Sequence, residues 1–515
     1  MVFLSQLAEA WGDIASTRSR LRKIERLTEL LEQLSPAEVP VAVAYLSGEL
    51  PQGAIGVGWA ALKDMPPPAG EASTLELLEV HAALDRVART TGPGSQAARR
   101  ALLSSVFEAS SDHGQSFLRA LLLGDLRQGA LEGIMVEAVA KAAGVPAVDV
   151  RRAVMLAGDL GIVATAVLSE GAAGLARFRL TLLTPVQPML AQTADTVSHA
   201  YERFSSASVE YKLDGARVQI HRLGAEVRIF TRNLADITGR VPEIVDAVTA
   251  LPLDAVIFDG EAIALGEDGR PMPFQTSMSR FGSRLEVDEL RRRTPLSLFL
   301  FDCLHLEGDD LIDLPAKERF EIMASRVPQT LSIRRIVTDE VARAERFLEE
   351  ALAAGHEGVM VKSLDAPYEA GRRGSGWLKV KRAHTVDLVV LAAEWGHGRR
   401  RGMLSNIHLG ARDPSSGGFV MLGKTFKGMT DEMLAWQTQK LLELETHREG
   451  ITVFVKPELV VEVAFDGLQR SPRYPAGLTL RFARVRGYRS DKEPGDADTI
   501  DTVRAIGSSS FGNPE

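Results

Sequence analysis

A lysine flanked by two acidic residues is the position at which this sequence is best equipped for covalent chemistry. Lys212 follows a β-branched and aromatic run and precedes Asp214 and Gly215, with Arg217 five residues beyond it. A lysine amine attacks an electrophile only when neutral, and at its reference pKa of about 10.4 about one amine in a thousand is neutral near pH 7. Desolvation and the cationic Arg217 are expected to lower the pKa of Lys212. Alone, these residues also fit a surface lysine beside a turn aspartate.

Two carboxylates and two lysines further along the chain are of types that can bind a metal ion and a triphosphate. Glu261 and Glu357 lie at the ends of apolar, strand-like runs, where an unpaired carboxylate is costly, so each needs a cation or a hydrogen-bond donor. Carboxylate oxygens suit Mg²⁺. Lys379 and Lys381 lie two apart on a strand and therefore share a face, where they can meet a triphosphate. The alternatives are salt-bridged strand-end glutamates and a solvated strand face.

Six segments after the lysine motif repeat a known order of motifs. They are Phe230–Asn233, Phe258–Glu261, Leu300–Asp302, Glu357–Lys362, Trp377–Arg382 and Arg481–Arg486. In order and spacing, they and the lysine motif resemble the covalent nucleotidyltransferase superfamily and, within it, the ATP-dependent DNA ligases. The resemblance extends from about Glu210 to Lys492.

The resemblance implies ATP as AMP donor, Mg²⁺ as metal and Lys212 as catalytic nucleophile. The residues that it implies for nucleotide binding are Glu210, Arg217, Arg232, Glu261, Phe301, Lys379, Lys381, Arg481 and Arg484. Glu261 and Glu357 correspond to metal-binding positions, and Glu261 alternatively to a ribose contact. Phe301 corresponds to the aromatic residue that stacks on adenine. The last motif folds over the nucleotide in the family, and here Ala483 replaces its usual proline.

Nicked duplex DNA is the partner that the resemblance implies. The segment Leu121–Gly129 resembles part of the DNA-binding domain of larger ATP-dependent ligases, where a glycine at a helix start lets backbone N–H groups approach phosphate. This implies DNA contacts by Gly124 and Arg127. Arg217 and Arg232 are implied to hold AMP or the 5′-phosphate of the nick.

The implied activity is sealing of 5′-phosphate/3′-hydroxyl nicks through a lysyl-AMP enzyme and an adenylylated DNA, in repair, recombination or replication. An RNA ligase or a capping-type nucleotidyltransferase is the alternative with the same lysine motif, although neither normally has a helical domain like residues 1–180. A catalytically silent DNA-binding clamp would not need Lys212, Glu357 and Lys379 together. An NAD-dependent ligase is disfavoured, because members of that class typically carry a four-cysteine zinc module. This chain has one cysteine, Cys303.

The fold expected is multidomain, because 515 residues exceed one compact core. Helical periodicity predicts an all-α DNA-binding domain over 1–180. Short β-branched runs predict an α+β nucleotidyltransferase (adenylation) domain over 181–382, including a strand at 297–306 buried on both faces. Short strands with turns predict a C-terminal β-barrel of the OB-fold type over 383–500, followed by a flexible tail at 501–515.

Composition and charge limit the classes of protein to which this chain can belong. With 45% hydrophobic and 25% charged residues, disordered, collagen-like and coiled-coil classes are disfavoured. The net charge of −8 argues mildly against a general polyanion binder, yet residues 470–492 hold seven basic residues against one acidic residue and predict a local phosphate-binding surface. We expect no membrane segment, a cytoplasmic location, nucleoid-associated if the protein is bacterial or archaeal, and a monomer.

Overall fold

The computed structural model describes residues 2–53, 55–69, 74–126, 128–129, 131–282, 287–369, 373–381 and 384–511. The first part of the chain is helical. Its helices are α1 (Leu4–Ser16), α2 (Arg20–Leu31), α3 (Val39–Ser47), α4 (Trp59–Leu62), α5 (Leu77–Arg89), α6 (Ser95–Ala109), α7 (Asp112–Leu122), α8 (Leu131–Ala143), α9 (Ala147–Ala157), α10 (Leu160–Glu170) and α11 (Ala172–Leu175). They surround a core to which α2, capped by Ser19, contributes a buried apolar face.

The middle of the chain combines strands and helices. Its strands are β1 (Leu190–Ala194), β2 (Ala207–Lys212), β3 (Ala216–Leu223), β4 (Glu226–Thr231), β5 (Ala255–Ala264), β6 (Leu296–Leu306), β7 (Asp309–Asp310), β8 (Arg335–Thr338), β9 (Gly358–Ser363) and β10 (Arg373–Lys381). Its helices are α12 (Val197–Tyr201), α13 (Pro242–Thr249), α14 (Phe274–Gly282), α15 (Val287–Arg293), α16 (Ala316–Arg326) and α17 (Val341–Ala353), with 3-10 turns at Thr238–Arg240 and Gln329–Leu331.

These strands form two five-stranded sheets. The first has the order β1-β10-β9-β2-β8, in which only the β1/β10 pair is parallel, and the second is antiparallel with the order β4-β3-β5-β6-β7. Apolar side chains of both sheets pack together, because Phe299 and Phe301 of β6 contact a cluster that includes Val361 and Leu378 of the first sheet. The predicted strand at 297–306 is therefore present, with Phe301 half-buried between the sheets.

The last part of the chain is rich in strands. Its strands are β11 (His384–Trp395), β12 (Leu404–Asp413), β13 (Gly418–Thr425), β14 (Glu445–Glu449), β15 (Thr452–Val455), β16 (Val460–Phe465), β17 (Gly467–Arg470), β18 (Leu478–Arg481) and β19 (Arg484–Tyr488). Short 3-10 turns at Gly398–Arg400 and Pro494–Asp496 accompany α18 (Asp431–Glu443) and α19 (Ile500–Phe511). Long β11 pairs with β12, β15 and β16 in a seven-stranded antiparallel sheet, and β17 pairs with β18.

The expectation of a flexible tail from residue 501 is wrong for residues 501–511. Helix α19 occupies this stretch, and Ile500 and Val503 lie buried in the core of the strand-rich part. Their spacing of three residues places both on one helix face, which explains the docking. The glycine- and serine-rich composition of 507–513 favoured a flexible tail, although Ile500 and Val503 precede it at helical spacing.

The segment that enters the middle part from the helical part is held by β3. His221 Nδ1 accepts a hydrogen bond from the backbone N–H of Leu183 at 3.1 Å. Gln219, two residues earlier on the same strand face, accepts from Val186 N at 2.8 Å and donates to Val186 O at 3.2 Å. The connection is therefore docked on β3. None of the helices in the described ranges is long and apolar enough to cross a membrane.

Candidate functional site: a lysine-centred cavity

Lys212 ends β2 and lies against a glutamate from the neighbouring strand connection. Its Nζ is 2.6 Å from Oε2 of Glu357, and Lys381 Nζ is 2.8 Å from the same oxygen. The backbone N–H of Glu357 donates to the carbonyl of Lys212 at 3.0 Å, so the start of β9 fixes this carboxylate beside the lysine. One carboxylate oxygen is thus shared by two ammonium groups.

The charge environment of Lys212 differs from the sequence-based expectation of a lowered pKa. Burial alone would lower the pKa of Lys212, but the carboxylates of Glu357, Glu261 and Asp214 raise it above its ordinary value. Burial would likewise raise the pKa of Glu357, yet Lys212 and Lys381 lower it to about 2. The expected lowering of the Lys212 pKa took account of Arg217 but not of the three carboxylates that lie around the amine in the folded protein. In this arrangement Lys212 is a protonated ion-pair partner.

Glu261 faces Lys212 from the second sheet. It lies on β5 opposite Arg217 of β3, and its carboxylate forms no ion pair within the ranges described above. Burial raises the pKa of Glu261 to about 7, against the lowering effect of Lys212 and Arg217. A half-buried carboxylate that lines a cavity and has no ion-pair partner among the described residues fits a bound cation.

The glycine of the lysine motif is required by a close approach between strands. A Cβ at Gly215 would lie 2.1 Å from Cγ2 of Ile263 and 2.6 Å from the carbonyl oxygen of Ala262. Neither distance is possible for a real Cβ, and the carbonyl belongs to the backbone of β5. Gly215 therefore lets the segment after Lys212 lie directly on the strand that carries Glu261.

Arg481 reaches the lysine motif from the strand-rich part of the chain. Its Nη1 donates to Oδ2 of Asp214 at 2.7 Å, and its guanidinium lies 4.5 Å from the ring centre of Phe274. Phe482, the next residue, has a left-handed φ of 55° and an exposed side chain. Arg484 instead donates to Asp466 at 3.1 Å.

The two other predicted phosphate-binding arginines differ in environment. Arg217 donates to both carboxylate oxygens of Asp259, at 3.0 and 2.5 Å, to the carbonyl of Met189 at 2.5 Å and to the hydroxyl of Tyr368 at 3.1 Å. Its donors are thus engaged with the protein. Arg232 follows β4, is exposed, and forms no ion pair with any residue that the structure describes.

The opposite end of the cavity is apolar and contains a buried ion pair. Phe301 packs edge-on against Trp377, with ring centres 5.9 Å apart. Glu210 is 2% exposed, and its Oε2 lies 2.6 Å from Nζ of the equally buried Lys362. Sequence reasoning gave no role to Lys362 or Trp377, although both lie in the motifs that carry the resemblance.

A cavity of about 810 Å³ brings most of the predicted residues together. The predicted residues that line it are Glu210, Lys212, Arg217, Arg232, Glu261, Phe301, Glu357, Lys379, Lys381 and Arg481. Arg484 instead lines an adjoining cavity of about 1480 Å³, which shares Lys379 and Lys381 with the first. Met360 and Phe274 also line the first cavity and were missed because nothing in their type distinguishes them from core residues.

The predicted helix-start position of Gly124 is wrong. Gly124 follows the end of α7, has a left-handed φ of 66°, and donates its N–H to Leu121 O at 3.0 Å. A glycine in this conformation ends a helix, where carbonyl groups and not N–H groups are exposed. The helix start in this segment is that of α8, after Gly129. Arg127 lies outside the described residues.

Comparisons with known proteins identify the family. Family models match three stretches: "DNA ligase N terminus" at 60–140, "ATP dependent DNA ligase domain" at 188–381 and "ATP dependent DNA ligase C terminal region" at 400–492. A protein of Anaeromyxobacter sp. (strain Fw109-5) named "Probable DNA ligase" is 58% identical over 507 residues, which are 98% of each chain. The chain belongs to the ATP-dependent DNA ligases. The family implies ATP as the substrate of this ligase and DNA as the molecule on which it acts.

Two further matches agree with this membership. A "Probable DNA ligase" of Mycobacterium sp. (strain KMS) is 56% identical to this ligase, over 98% of this chain and 99% of the other. The solved structure titled "Pmar-Lig_Pre." covers 95% of the ligase and 100% of its own chain with a TM-score of 0.66. At 20% sequence identity, that likeness concerns the fold alone.

Proposed function

We propose that this ligase seals nicks in duplex DNA through a lysyl-AMP intermediate on Lys212. The observation that carries the proposal is the position of Lys212 Nζ in a cavity with Glu357 at 2.6 Å, Lys381 on the same carboxylate oxygen, and Glu261 facing it from β5. A lysine used only for an ion pair would not need a second cation on its partner or an unpaired carboxylate opposite. This arrangement suits displacement at a phosphate.

The reaction then comprises three displacements in which each bond formed replaces one broken. The neutral amine of Lys212 forms a P–N bond to the α-phosphorus of ATP and pyrophosphate leaves. The 5′-phosphate of the nick takes AMP from the lysine, and the 3′-hydroxyl finally displaces AMP to form the phosphodiester. Because Lys212 must release Glu357 and a proton before it attacks, Lys381 is positioned to remain as the partner of that carboxylate.

Nucleotide binding is assigned to the two ends of the cavity. Phe301 offers a ring face for adenine at the apolar end, beside Glu210. Lys379 and Lys381 on β10, with Arg481 and Arg484 from the strand-rich part, supply cationic groups for the triphosphate and for pyrophosphate as it leaves. Lys212 would lie between these two ends, so that the α-phosphate is held between the base and the leaving pyrophosphate.

Arg217 and Arg232 are assigned to AMP or the 5′-phosphate of the nick. Arg232 is exposed at the cavity and has no competing ion pair among the described residues, so it suits a phosphate directly. Arg217 already donates to Asp259, Met189 and Tyr368. A phosphate contact by Arg217 would therefore exchange one of these hydrogen bonds.

Mg²⁺ fits Glu261 and Glu357 as metal-binding residues. The half-buried carboxylate of Glu261 has no described ion-pair partner, and Glu357 offers a second carboxylate beside Lys212. When bound there, Mg²⁺ would supply positive charge that stabilises the phosphate oxygens.

Contacts with the DNA backbone away from the nick are assigned to the parts outside the nucleotide domain. We divide the chain into a helical DNA-binding domain (1–180), an adenylation domain (181–382) and an OB-type barrel (383–500). We expect a cytoplasmic monomer, nucleoid-associated if the protein is bacterial or archaeal. The basic stretch 470–492 of the barrel and the helical domain would contact the backbone independently of sequence.

Labelled ATP, Mg²⁺ and purified protein test this function. We expect a label that survives denaturation with ATP and not with GTP or NAD, no label in Lys212→Ala, and sealing of a nicked DNA duplex in preference to nicked RNA. Equal labelling by GTP, or sealing of RNA alone, would favour a capping enzyme or an RNA ligase.

A further inference from the structure

The end of helix α9 lies against the loop that carries Arg232. Gly158 ends this helix with a left-handed φ of 71°. A Cβ at Gly158 would lie 3.0 Å from Cδ1 of Leu234 and 3.6 Å from the carbonyl oxygen of Pro185. The side chain of Leu234 therefore occupies the space next to the glycine. The helical part of the chain thus touches the loop two residues beyond Arg232.

Leu234 has a backbone conformation that leucine rarely adopts. Its φ of 62° lies in the left-handed region, which is sterically costly for a residue with a Cβ. The N–H of Leu234 donates to the carbonyl of Thr231 at 2.8 Å, and the N–H of Thr231 donates to the carbonyl of Ala235 at 2.9 Å. Glycine or asparagine would take this conformation at lower cost. What leucine offers instead is an apolar side chain, half-buried against α9.

Two further contacts fix α9 on the middle part of the chain. Arg152 donates to the two carboxylate oxygens of Asp313, at 2.5 and 2.6 Å. The carbonyl of Met155 accepts from the backbone N–H of Gln187 at 2.9 Å, and its side chain is buried in an apolar cluster shared by both parts. Arg152, Met155 and Gly158 are spaced three residues apart, so one side of α9 makes all these contacts. The helix is therefore a fixed support for the loop.

The loop connects this support with the nucleotide cavity. Arg232 is exposed and lines the cavity, whereas Leu234 packs against α9. Because the hydrogen bonds of Thr231 and Leu234 close the loop tightly, a shift of Leu234 would also shift the backbone of Arg232. A misplacement of about 1 Å at a reacting group can slow a reaction by about a hundredfold.

We propose that α9, through Gly158 and Leu234, positions Arg232 for the 5′-phosphate of the nick, so that the helical part contributes to AMP transfer as well as to DNA binding. This rests on the proposed function, because it requires Arg232 to contact that phosphate. Leu234 acts through Arg232 and is a positioning residue. Lysyl-AMP forms before the nick is engaged, so the contact matters for transfer of AMP to DNA and not for formation of the adduct.

The test uses the full-length protein and separates these two steps. Lysyl-AMP formation is followed by intact mass, and transfer of AMP from the loaded protein to a nicked duplex is followed in a single turnover. Leu234→Asn tolerates the left-handed backbone but lacks the apolar contact. It should slow transfer by about tenfold and leave adduct formation unchanged. Leu234→Met, which keeps an apolar side chain, should transfer AMP nearly as fast as the unmodified protein.

A double-variant cycle shows whether Leu234 acts through Arg232. Arg232→Ala should slow transfer, and the addition of Leu234→Asn should cause little further loss. Glu307→Asn is the matched control, because Glu307 is another non-glycine residue of the middle part with a left-handed φ, of 50°. Its carboxylate accepts hydrogen bonds from Asp254 N and Ala255 N, and the variant should leave both steps unchanged.

A charge exchange on the same side of α9 gives a second test that leaves the loop itself intact. Arg152→Glu should slow AMP transfer by repelling Asp313, and Asp313→Arg in the same protein should restore it. The charge exchange decides the matter if Leu234→Asn does not fold, and failure of Asp313→Arg to restore transfer would then overturn the proposal.

Three results with folded Leu234→Asn would also overturn the proposal. They are undiminished transfer, an equal slowing of both steps, and a double variant in which the losses from Leu234→Asn and Arg232→Ala multiply. The second of these would assign Leu234 a structural role only. Absence of any adduct between the unmodified protein and ATP would instead refute the proposed function.

Discussion

Arg481 and Asp214 form an ion pair at 2.7 Å although they lie 267 positions apart in the chain. Asp214 belongs to the lysine motif, so this contact brings the strand-rich part of the ligase to the rim of the nucleotide cavity. The guanidinium also lies over Phe274, which fixes its orientation. A cation at this rim is placed to act on the phosphates of ATP before DNA is engaged.

Arg481→Ala should therefore slow lysyl-AMP formation by about tenfold or more, because a cation near the leaving group is lost. Single-turnover labelling with ATP measures this step. Sealing of a nick that already carries AMP on its 5′-phosphate should change much less. Arg448→Ala is the control, since Arg448 forms an exposed ion pair with Glu445 on the same part of the chain. Equal losses in both assays would show that Arg481 has no special part in the first step.

Gly215→Ala should strongly reduce lysyl-AMP formation. The added Cβ would collide with the backbone of Ala262 and with Ile263, so the segment after Lys212 must move away from β5. Gly239→Ala is the matched control, because a Cβ there meets nothing within 4 Å. Labelling of both variants, together with thermal unfolding, separates displacement of the site from loss of the fold. Undiminished labelling of Gly215→Ala would contradict the close approach.

His221 should make the ligase less stable in acid. Burial lowers its pKa to about 3 from an ordinary value of 6.5, so the unfolded chain binds a proton that the folded chain does not. This group's contribution to the free energy of unfolding is present above pH 6.5 and is lost as the pH falls toward 3, by an amount on the order of a few kcal/mol.

His221→Asn keeps an acceptor for Leu183 N but does not titrate. The stability advantage of the unmodified protein over the variant should therefore shrink on acidification, as measured by denaturant unfolding at several pH values. A difference that is independent of pH would mean that folding does not lower the pKa of His221.

Glu261→Gln should raise the Mg²⁺ concentration needed for half-maximal labelling of Lys212. The amide keeps the shape of the side chain but removes the charge assigned to the metal. Glu307→Gln is a suitable control, because Glu307 is an exposed-loop carboxylate that accepts hydrogen bonds from Asp254 N and Ala255 N, away from the cavity. An unchanged Mg²⁺ requirement in Glu261→Gln would leave Glu261 with the ribose contact as its alternative role.

The residues that meet at the cavity could be predicted from the sequence because their chemistry is tied to local motifs. Lys212 and Lys381 end β2 and β10, Glu357 directly precedes β9, and Glu261 lies within β5, so each is attached to an apolar strand. The direction of the pKa shift of Lys212 could not be predicted in this way. It depends on which charges lie closest in space, and Glu357 is 145 positions away in the chain.

Other features depend on tertiary contacts that leave little trace in the sequence. The hydrogen bonds that hold Leu183 and Val186 on β3 come from His221 and Gln219. Nothing in the sequence distinguishes these two residues from other strand residues. Gly124 was assigned to a helix start because a glycine-containing segment between helices is compatible with either terminus. The burial of both faces of β6, one against the first sheet and the other against α13 and α16, was indicated by its continuous apolar run, since both faces require apolar side chains.

The site of AMP attachment tests the central claim most directly. The ligase should be incubated with ATP and Mg²⁺, digested, and the modified peptide sequenced by mass spectrometry. We predict one AMP on Lys212 through an acid-labile P–N bond, with Lys362, Lys379 and Lys381 unmodified. AMP on any other residue, or on Lys212→Ala protein, would contradict the account.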